Sequence, residues 1–306
     1  MAKYLKEFST TAEYESYINN SPTLPNVSLT LDDNVVHYNK YIDYSKEYLT
    51  FEALQNGTFK LTVPDTVNAN YMTSISYSID DGASWTTTAI IYGYQTITTP
   101  TINAGDKVLW KGEGKAMSAD TLNKFSQFNG TICNVSGNIM SLLYGDNFVN
   151  QSSFPSGSTI TFCNLFKSFT GIRDASNLIL PATTLVQNCY QGMFNDCTGL
   201  TTAPELPATT LAQQCYNAMF VSCRSLTTAP ELPATTLANY CYAAMFAGCT
   251  NLNSVKMLAT DISASQSLYN WVNNVAATGT FTKAASMTTL PTGASGIPSG
   301  WTVIDA

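Results

Sequence analysis

LPATTLAQQCYNAMFVSCRSLTTAPE, residues 206–231, is one unit of a tandem repeat. The 26 residues before it, LPATTLVQNCYQGMFNDCTGLTTAPE (180–205), and the unit after it, LPATTLANYCYAAMFAGCTNLNSVKM (232–257), repeat it closely. A further unit, LATDISASQSLYNWVNNVAATGTFTK (258–283), keeps the length but puts Ser267 and Val275 at the two cysteine places. Upstream, LFKSFTGIRDASNLI matches MFNDCTGLTTAPEL after a two-residue shift, with Phe169 at the second cysteine place and Ile172 at the Leu200 place. The array therefore runs from about Phe154 to Lys283, with atypical units at both ends, where capping is needed.

Within a unit, apolar residues fall at 211, 215, 219 and 223, with 216 and 220 beside them. That spacing predicts one face of a helix. The Thr- and Pro-rich remainder predicts a short strand around Leu226–Ala229, stopped by Pro230 and Pro233. One strand plus one helix per unit is the plan of a leucine-rich-repeat solenoid, in which stacked neighbours bury what a single unit cannot.

Seven of the eight cysteines follow the period. Cys163, Cys189, Cys215 and Cys241 are 26 apart, as are Cys197, Cys223 and Cys249; Cys133 stands outside. Small buried thiols stacked as ladders account for them. A C-x7-C spacing with one histidine in the chain does not fit a zinc ligand set. Disulfides between ladder partners stay open, whereas helix positions four and eight apart do not bridge. Tyr190, Tyr216 and Tyr242 form a second ladder, expected to pack partly with the hydroxyls outward. Thr201, Thr202, Thr227 and Thr228 are the strand positions expected on the exposed concave face, and are the candidate binding face. The competing reading is that these threonines are only good strand formers on a solvated face.

The first half reads differently. Residues 1–45 form an arm: a capping box at Thr10 and Glu13 precedes a short helix, and VSLTL and VVHYN flank Asp32-Asp33-Asn34 as a hairpin. An isolated hairpin is marginal, so the arm needs a partner surface or packs on the next domain. Residues 46–118 predict an immunoglobulin-like β-sandwich from alternating runs such as TFKLTV and SISYSI. Residues 119–153 are a connector and solenoid cap, 154–283 the repeats, and 284–306 a C-terminal tail. Ser78-Ile-Asp80-Asp-Gly82-Ala-Ser84-Trp85 resembles the Asp-box of sialidases, a structural hairpin turn in which Asp accepts hydrogen bonds and Gly supplies positive φ.

Composition narrows function. The 306 residues carry 14 Lys plus Arg against 21 Asp plus Glu, net −7, and only 11% are charged, against about 25% in an ordinary soluble protein. Fourteen scattered basic residues make no footprint for nucleic acid. Two arginines, Arg173 and Arg224, and one histidine, His37, leave little for a sialidase site or for general acid–base chemistry. Asp32-Asp33 and Asp80-Asp81 sit at hairpin turns without the spacing of a calcium loop. Glu205 and Glu231 recur once per unit, which points to a repeated structural turn. No apolar run reaches membrane-spanning length, and MAKYLKEFSTTAEYE has no apolar h-region. The expectation is a non-enzymatic protein with no cofactor, no metal, no nucleic-acid partner and no membrane insertion.

The pattern C-x-x-L-T-T-A-P-E-L-P-A-T-T-L-x-x-x-C-Y-x-x-M-F-x-x-C resembles the BspA-type (Treponema pallidum-type) leucine-rich repeat, a family rich in surface adhesins of Bacteroidales. The tail TGTFTKAASMTTLPTGASGIPSGWTVIDA is similar to the segment that follows such repeats. The first forty residues resemble the start of virion proteins of Bacteroidales phages, including crAss-like phages. Together the resemblances imply a virion-surface protein: a capsid-decorating head fibre or a tail-fibre component. The arm would hold it to capsid or other virion proteins. The repeats would face a host-surface glycan or protein, and the assembly would be a homo-oligomer. The alternative they imply is a bacterial cell-surface adhesin. The missing h-region favours the phage reading, since host lysis releases a virion protein without a signal.

Overall fold

The computed structural model of the chain describes residues 6–8, 27–32, 35–40, 47–64, 71–91, 93–114, 116–117 and 125–306. The chain divides into two compact units, Met1–Glu47 and Tyr48–Ala306.

The first unit holds β1 (Lys6–Phe8), β2 (Val27–Asp32) and β3 (Val35–Lys40), antiparallel in the order β1-β3-β2. Asp32 faces Val35 across the β2–β3 pair, so the connection falls within the predicted hairpin. His37 lies on the middle strand, opposite Glu7 and Thr30. The helix expected over residues 12–19 lies outside the described residues.

The second unit begins with β4 (Leu49–Ala53), β5 (Phe59–Val63), β6 (Ser74–Ser78), β7 (Thr86–Ala89), β8 (Gln95–Thr98) and β9 (Lys107–Glu113), followed by β10 (Gln127–Gly130), β11 (Cys133–Asn138) and β12 (Asn177–Ile179). Two sheets result, a six-stranded one ordered β12-β11-β4-β9-β6-β7 and a three-stranded one ordered β10-β5-β8. Period-two patterning works where both sheets share a core: Phe59, Leu61 and Val63 are buried and Lys60 is exposed. It fails at Ile79, which lies beyond β6 and is 49% exposed.

The expected immunoglobulin-like sandwich of 46–118 is corrected by this pairing. β10 and β11 come from beyond residue 118, yet β11 pairs with β4 and β10 with β5. β12, from the repeat region, then adds to β11 in parallel. Phe128 and Phe51 pack on Phe166, so the sheets and the repeats share one core.

The leucine-rich-repeat solenoid of strand-plus-helix units is also corrected. The one α-helix among the described residues is α1 (Ser141–Tyr144), outside the repeats. The repeats stack as coils: coil 1 (160–185), coil 2 (186–211), coil 3 (212–237) and coil 4 (238–263). Their predicted helical halves are ribbons of tight turns. In coil 2, the N–H groups of Cys189, Gln191, Met193, Asn195 and Cys197 donate to the carbonyl three residues back. The alternate N–H groups, of Asn188, Tyr190, Gly192, Phe194 and Asp196, donate to Gln213, Cys215, Asn217, Met219 and Val221 of coil 3 at 2.8–3.1 Å. Every fourth residue has left-handed φ: Asn188, Gly192 and Asp196, then Gln214, Ala218 and Ser222, then Tyr240, Ala244 and Gly248. A right-handed helix cannot contain such residues and keeps its hydrogen bonds to itself. The ribbon spends half of its donors on the neighbouring coil, which joins the stack through the backbone.

Ring ladders fill the interior. Tyr190 stacks on Tyr216 at 5.7 Å and Phe194 on Phe220 at 5.5 Å. In coil 1, Phe162 stacks on Tyr190, and Phe166 packs on Phe194 with the planes tilted by 33°. That register puts Thr161, not Cys163, at the place of Cys189, so the 26-residue spacing of Cys163 is not a ladder position. Trp271 closes the stack, its indole N–H donating to the Gly296 carbonyl at 2.8 Å. β13 (Ser254–Met257), β14 (Thr280–Lys283) and β15 (Thr302–Asp305) continue it as a parallel sheet, so the tail adds the last strand.

Candidate functional site

The strand side of the coils carries the candidate face, and Thr201, Thr202, Thr227 and Thr228 are all exposed there. They do not form regular strands; isolated parallel bridges join Asp174 to Thr202 and Thr228 to Ser254. The N–H and the hydroxyl of Thr201 both donate to the Arg173 carbonyl at 2.8 Å. Thr227 accepts from the Asn253 N–H at 2.9 Å. One threonine pair is thus tied to coil 1 and the other to coil 4. No backbone hydrogen bond links the two pairs to each other.

A second row of threonines is exposed on the same coils. Thr183 and Thr184, Thr209 and Thr210, and Thr235 and Thr236 are exposed in successive coils. Thr184 bridges Thr210 in parallel. The signal was the ATTL at the same place in each unit, next to a proline that ends the preceding segment.

Between the coil 2 and coil 3 strand sides lies a cleft of about 380 Å³, lined by Ala203, Pro204, Glu205, Leu206, Pro207, Pro230, Glu231 and Pro233. Glu231 pairs with Lys256 at 2.9 Å. The two recurring glutamates, read as a repeated turn, thus face one opening.

The Asp-box-like hairpin is a closed hydrogen-bond device. Asp80 accepts from the Ser84 N–H at 2.9 Å, the Ser84 hydroxyl and the Ser78 hydroxyl. These donors, Ser84 first, bring its carboxyl down to about 2. Gly82 has φ +87°, as the turn requires. Beside it, Lys111 sits 4.1 Å over the Trp85 ring and bonds Asp146 at 2.7 Å, and the Tyr48 hydroxyl donates to the same carboxylate. The Asp80 carboxylate and the Lys111 ammonium of this cluster are thus engaged within the fold.

No protein-family model, curated protein or solved structure matches the chain.

All eight cysteines are buried thiols. Burial pushes each one up, Cys133, Cys163, Cys241 and Cys249 to about 12. The Cys197, Cys223 and Cys249 thiols donate to the carbonyls of Phe166, Phe194 and Phe220 at 2.9–3.1 Å. They are therefore packing groups with weak hydrogen bonds. The tyrosine ladder departs from expectation: Tyr190, Tyr216 and Tyr242 are fully buried rather than hydroxyl-outward, and the hydroxyls of Tyr190 and Tyr216 have no hydrogen-bond partner.

Proposed function

We propose that the chain is a non-enzymatic structural protein of a bacteriophage virion, a capsid-decorating head fibre or tail-fibre component, which displays its coil array toward a host surface. The observation carrying this reading is the division of labour along the chain: a small separate N-terminal unit, and a long stack whose strand side shows rows of exposed threonines. Hydroxyl-rich, charge-poor rows suit a glycan or a flat protein surface. Each contact would be weak, and many copies on one particle would supply the avidity. The N-terminal unit would hold the protein to capsid or other virion proteins. A homo-oligomer fits such an appendage.

A second reading, a Bacteroidales cell-surface adhesin of the BspA type, is favoured by the repeat motif of 180–257 itself. The test is cryo-electron microscopy of intact virions from the source phage, with mass spectrometry of the purified particles. Density for this chain with residues 1–45 against the particle supports the first reading. Absence from the particle overturns it and leaves the adhesin.

A further inference from the structure

The joint between coils 2 and 3 differs from its neighbours on the strand side. At the coil 1–2 joint, Thr201 N–H bonds the Arg173 carbonyl, Ala175 N–H the Thr202 carbonyl, and Leu185 N–H the Thr210 carbonyl. At the coil 3–4 joint, Asn253 N–H bonds the Thr227 carbonyl, Ala229 N–H the Ser254 carbonyl, and Leu232 N–H the Lys256 carbonyl. The corresponding bonds at the middle joint would run from Thr227 N–H to the Thr201 carbonyl and from Ala203 N–H to the Thr228 carbonyl. Neither is made. On the ribbon side the same two coils are fully bonded, from Asn188 to Asp196. The stack opens there like a wedge, and the cleft is the opening.

The sequence explains the wedge. Only at this joint do two Ala-Pro-Glu-Leu-Pro segments face each other, 203–207 against 229–233. Pro204, Pro207, Pro230 and Pro233 have no N–H to give, and the Ala229 and Leu232 N–H groups are spent on coil 4, so the two facing segments have few donors left for each other. Coil 1 has Asn-Leu-Ile-Leu and coil 4 Ser-Val-Lys-Met in this region, and these pair outward, with β11 and β14 respectively.

We infer that this cleft binds an extended peptide segment carrying a lysine or arginine. An extended peptide presents alternating donors and acceptors. The Ala203 N–H lines the cleft, and next to its lining residues in the chain the Thr227 N–H and the Thr201 and Thr228 carbonyls are likewise left unused by the fold. The proline rings and Leu206 supply an apolar floor for a side-chain stem. The two carboxylates set the charge of the ligand. Lys256 occupies Glu231, while the exposed Glu205 forms no ion pair among the described residues. The inference stands on this joint alone and does not need the virion reading.

Fluorescence anisotropy of the full chain with a labelled Val-Thr-Lys-Thr-Val peptide tests it, with the norleucine peptide as the uncharged control. The lysine peptide is expected to bind saturably and to be released by salt. Glu205→Gln, an exposed change, should weaken it about three- to five-fold and leave the norleucine peptide unchanged. Hydrogen exchange should gain protection at residues 201–207 and 227–233 in the complex. No anisotropy change up to millimolar lysine peptide overturns the inference. So does binding indifferent to Glu205→Gln, protection elsewhere on the chain, or capture of an oligosaccharide in place of the peptide.

Discussion

Phe220 and Phe246 lie face to face across coils 3 and 4, their ring centroids 5.6 Å apart and their planes within 3° of parallel. Phe194 stacks on the other face of Phe220 at 5.5 Å. Phe220 is fully buried and its carbonyl also takes the Cys249 thiol. Removing this ring empties a space shared by three coils. Phe220→Ala is expected to cost about 3–5 kcal/mol of unfolding free energy, and Phe220→Leu much less. Because each coil touches only its neighbours, the loss should split the unfolding transition at the middle of the stack. Urea unfolding followed by circular dichroism checks both the size and the shape. An Ala variant as stable as the parent would remove the ladder from the core.

The sign of a glycine substitution separates the turn ribbon from a helix. Ala218 and Ala244 hold φ of +54° and +53°, where a Cβ is crowded, while the equivalent place in coil 2 is already Gly192. Ala218→Gly and Ala244→Gly should each stabilise the protein by about 0.5–1 kcal/mol. In a helix the same changes would cost about 1 kcal/mol. Denaturation midpoints give the sign directly. The far-UV spectrum should also lack the paired minima of a helical protein.

The period of the repeat was legible because identical residues at 26-residue steps must occupy identical places. The Asp80–Ser84 turn and the alternating face of Phe59–Val63 were legible for the same local reasons. The ribbon was misread because apolar pairs at 189–190 and 193–194, followed by Cys197, fall near enough to 3.6 residues to pass as one helical face. Their true period is four. The signal was partial: Asn, Asp or Gly stands at some of the left-handed places (Asn164, Asn188, Gly192, Asp196, Gly248, Asn270 and Asn274), but coil 3 carries Gln214, Ala218 and Ser222 there. The candidate threonines were legible as exposed. Their separation into two pairs was not, because it depends on which coils carry the facing prolines. The partnership of β10 and β11 with β4 and β5 is a long-range choice that no local pattern encodes.

The tyrosine ladder makes a prediction opposite to the usual loss on deleting a polar group. The Tyr216 hydroxyl is buried between Tyr190 and Tyr242 and makes no hydrogen bond. An unsatisfied buried hydroxyl costs about 1–3 kcal/mol, and phenylalanine keeps the stacking without it. Tyr216→Phe is therefore expected to be neutral or stabilising by up to about 1 kcal/mol. Thr161→Val should behave alike, since the Thr161 hydroxyl is also buried without a partner. A loss above about 1 kcal/mol in the urea midpoint of either variant would mean that its hydroxyl is satisfied in solution.

Alkaline pH should unfold this protein through its thiols. Burial raises every cysteine above the ordinary value of 9.0, and Cys133, Cys163, Cys241 and Cys249 reach about 12. Well below pH 9 the thiols are protonated in both the folded and the unfolded chain, and their contribution is constant. Above it the unfolded chain sheds thiol protons while the folded chain keeps them, so the equilibrium moves toward unfolding until the folded thiols titrate near pH 12. Each such thiol contributes up to about 1.4 kcal/mol of lost stability per pH unit inside that window. The buried phenols of Tyr190, Tyr216 and Tyr242, held well above their ordinary 10.0, add in the same direction. The urea midpoint should be flat from pH 6 to 7.5 and fall steeply from pH 9 to 11. Over the flat range, native protein should resist a thiol reagent that labels all eight cysteines once it is unfolded. A midpoint unchanged at pH 10.5, or rapid labelling of the native chain at pH 8, would place the thiols at the surface.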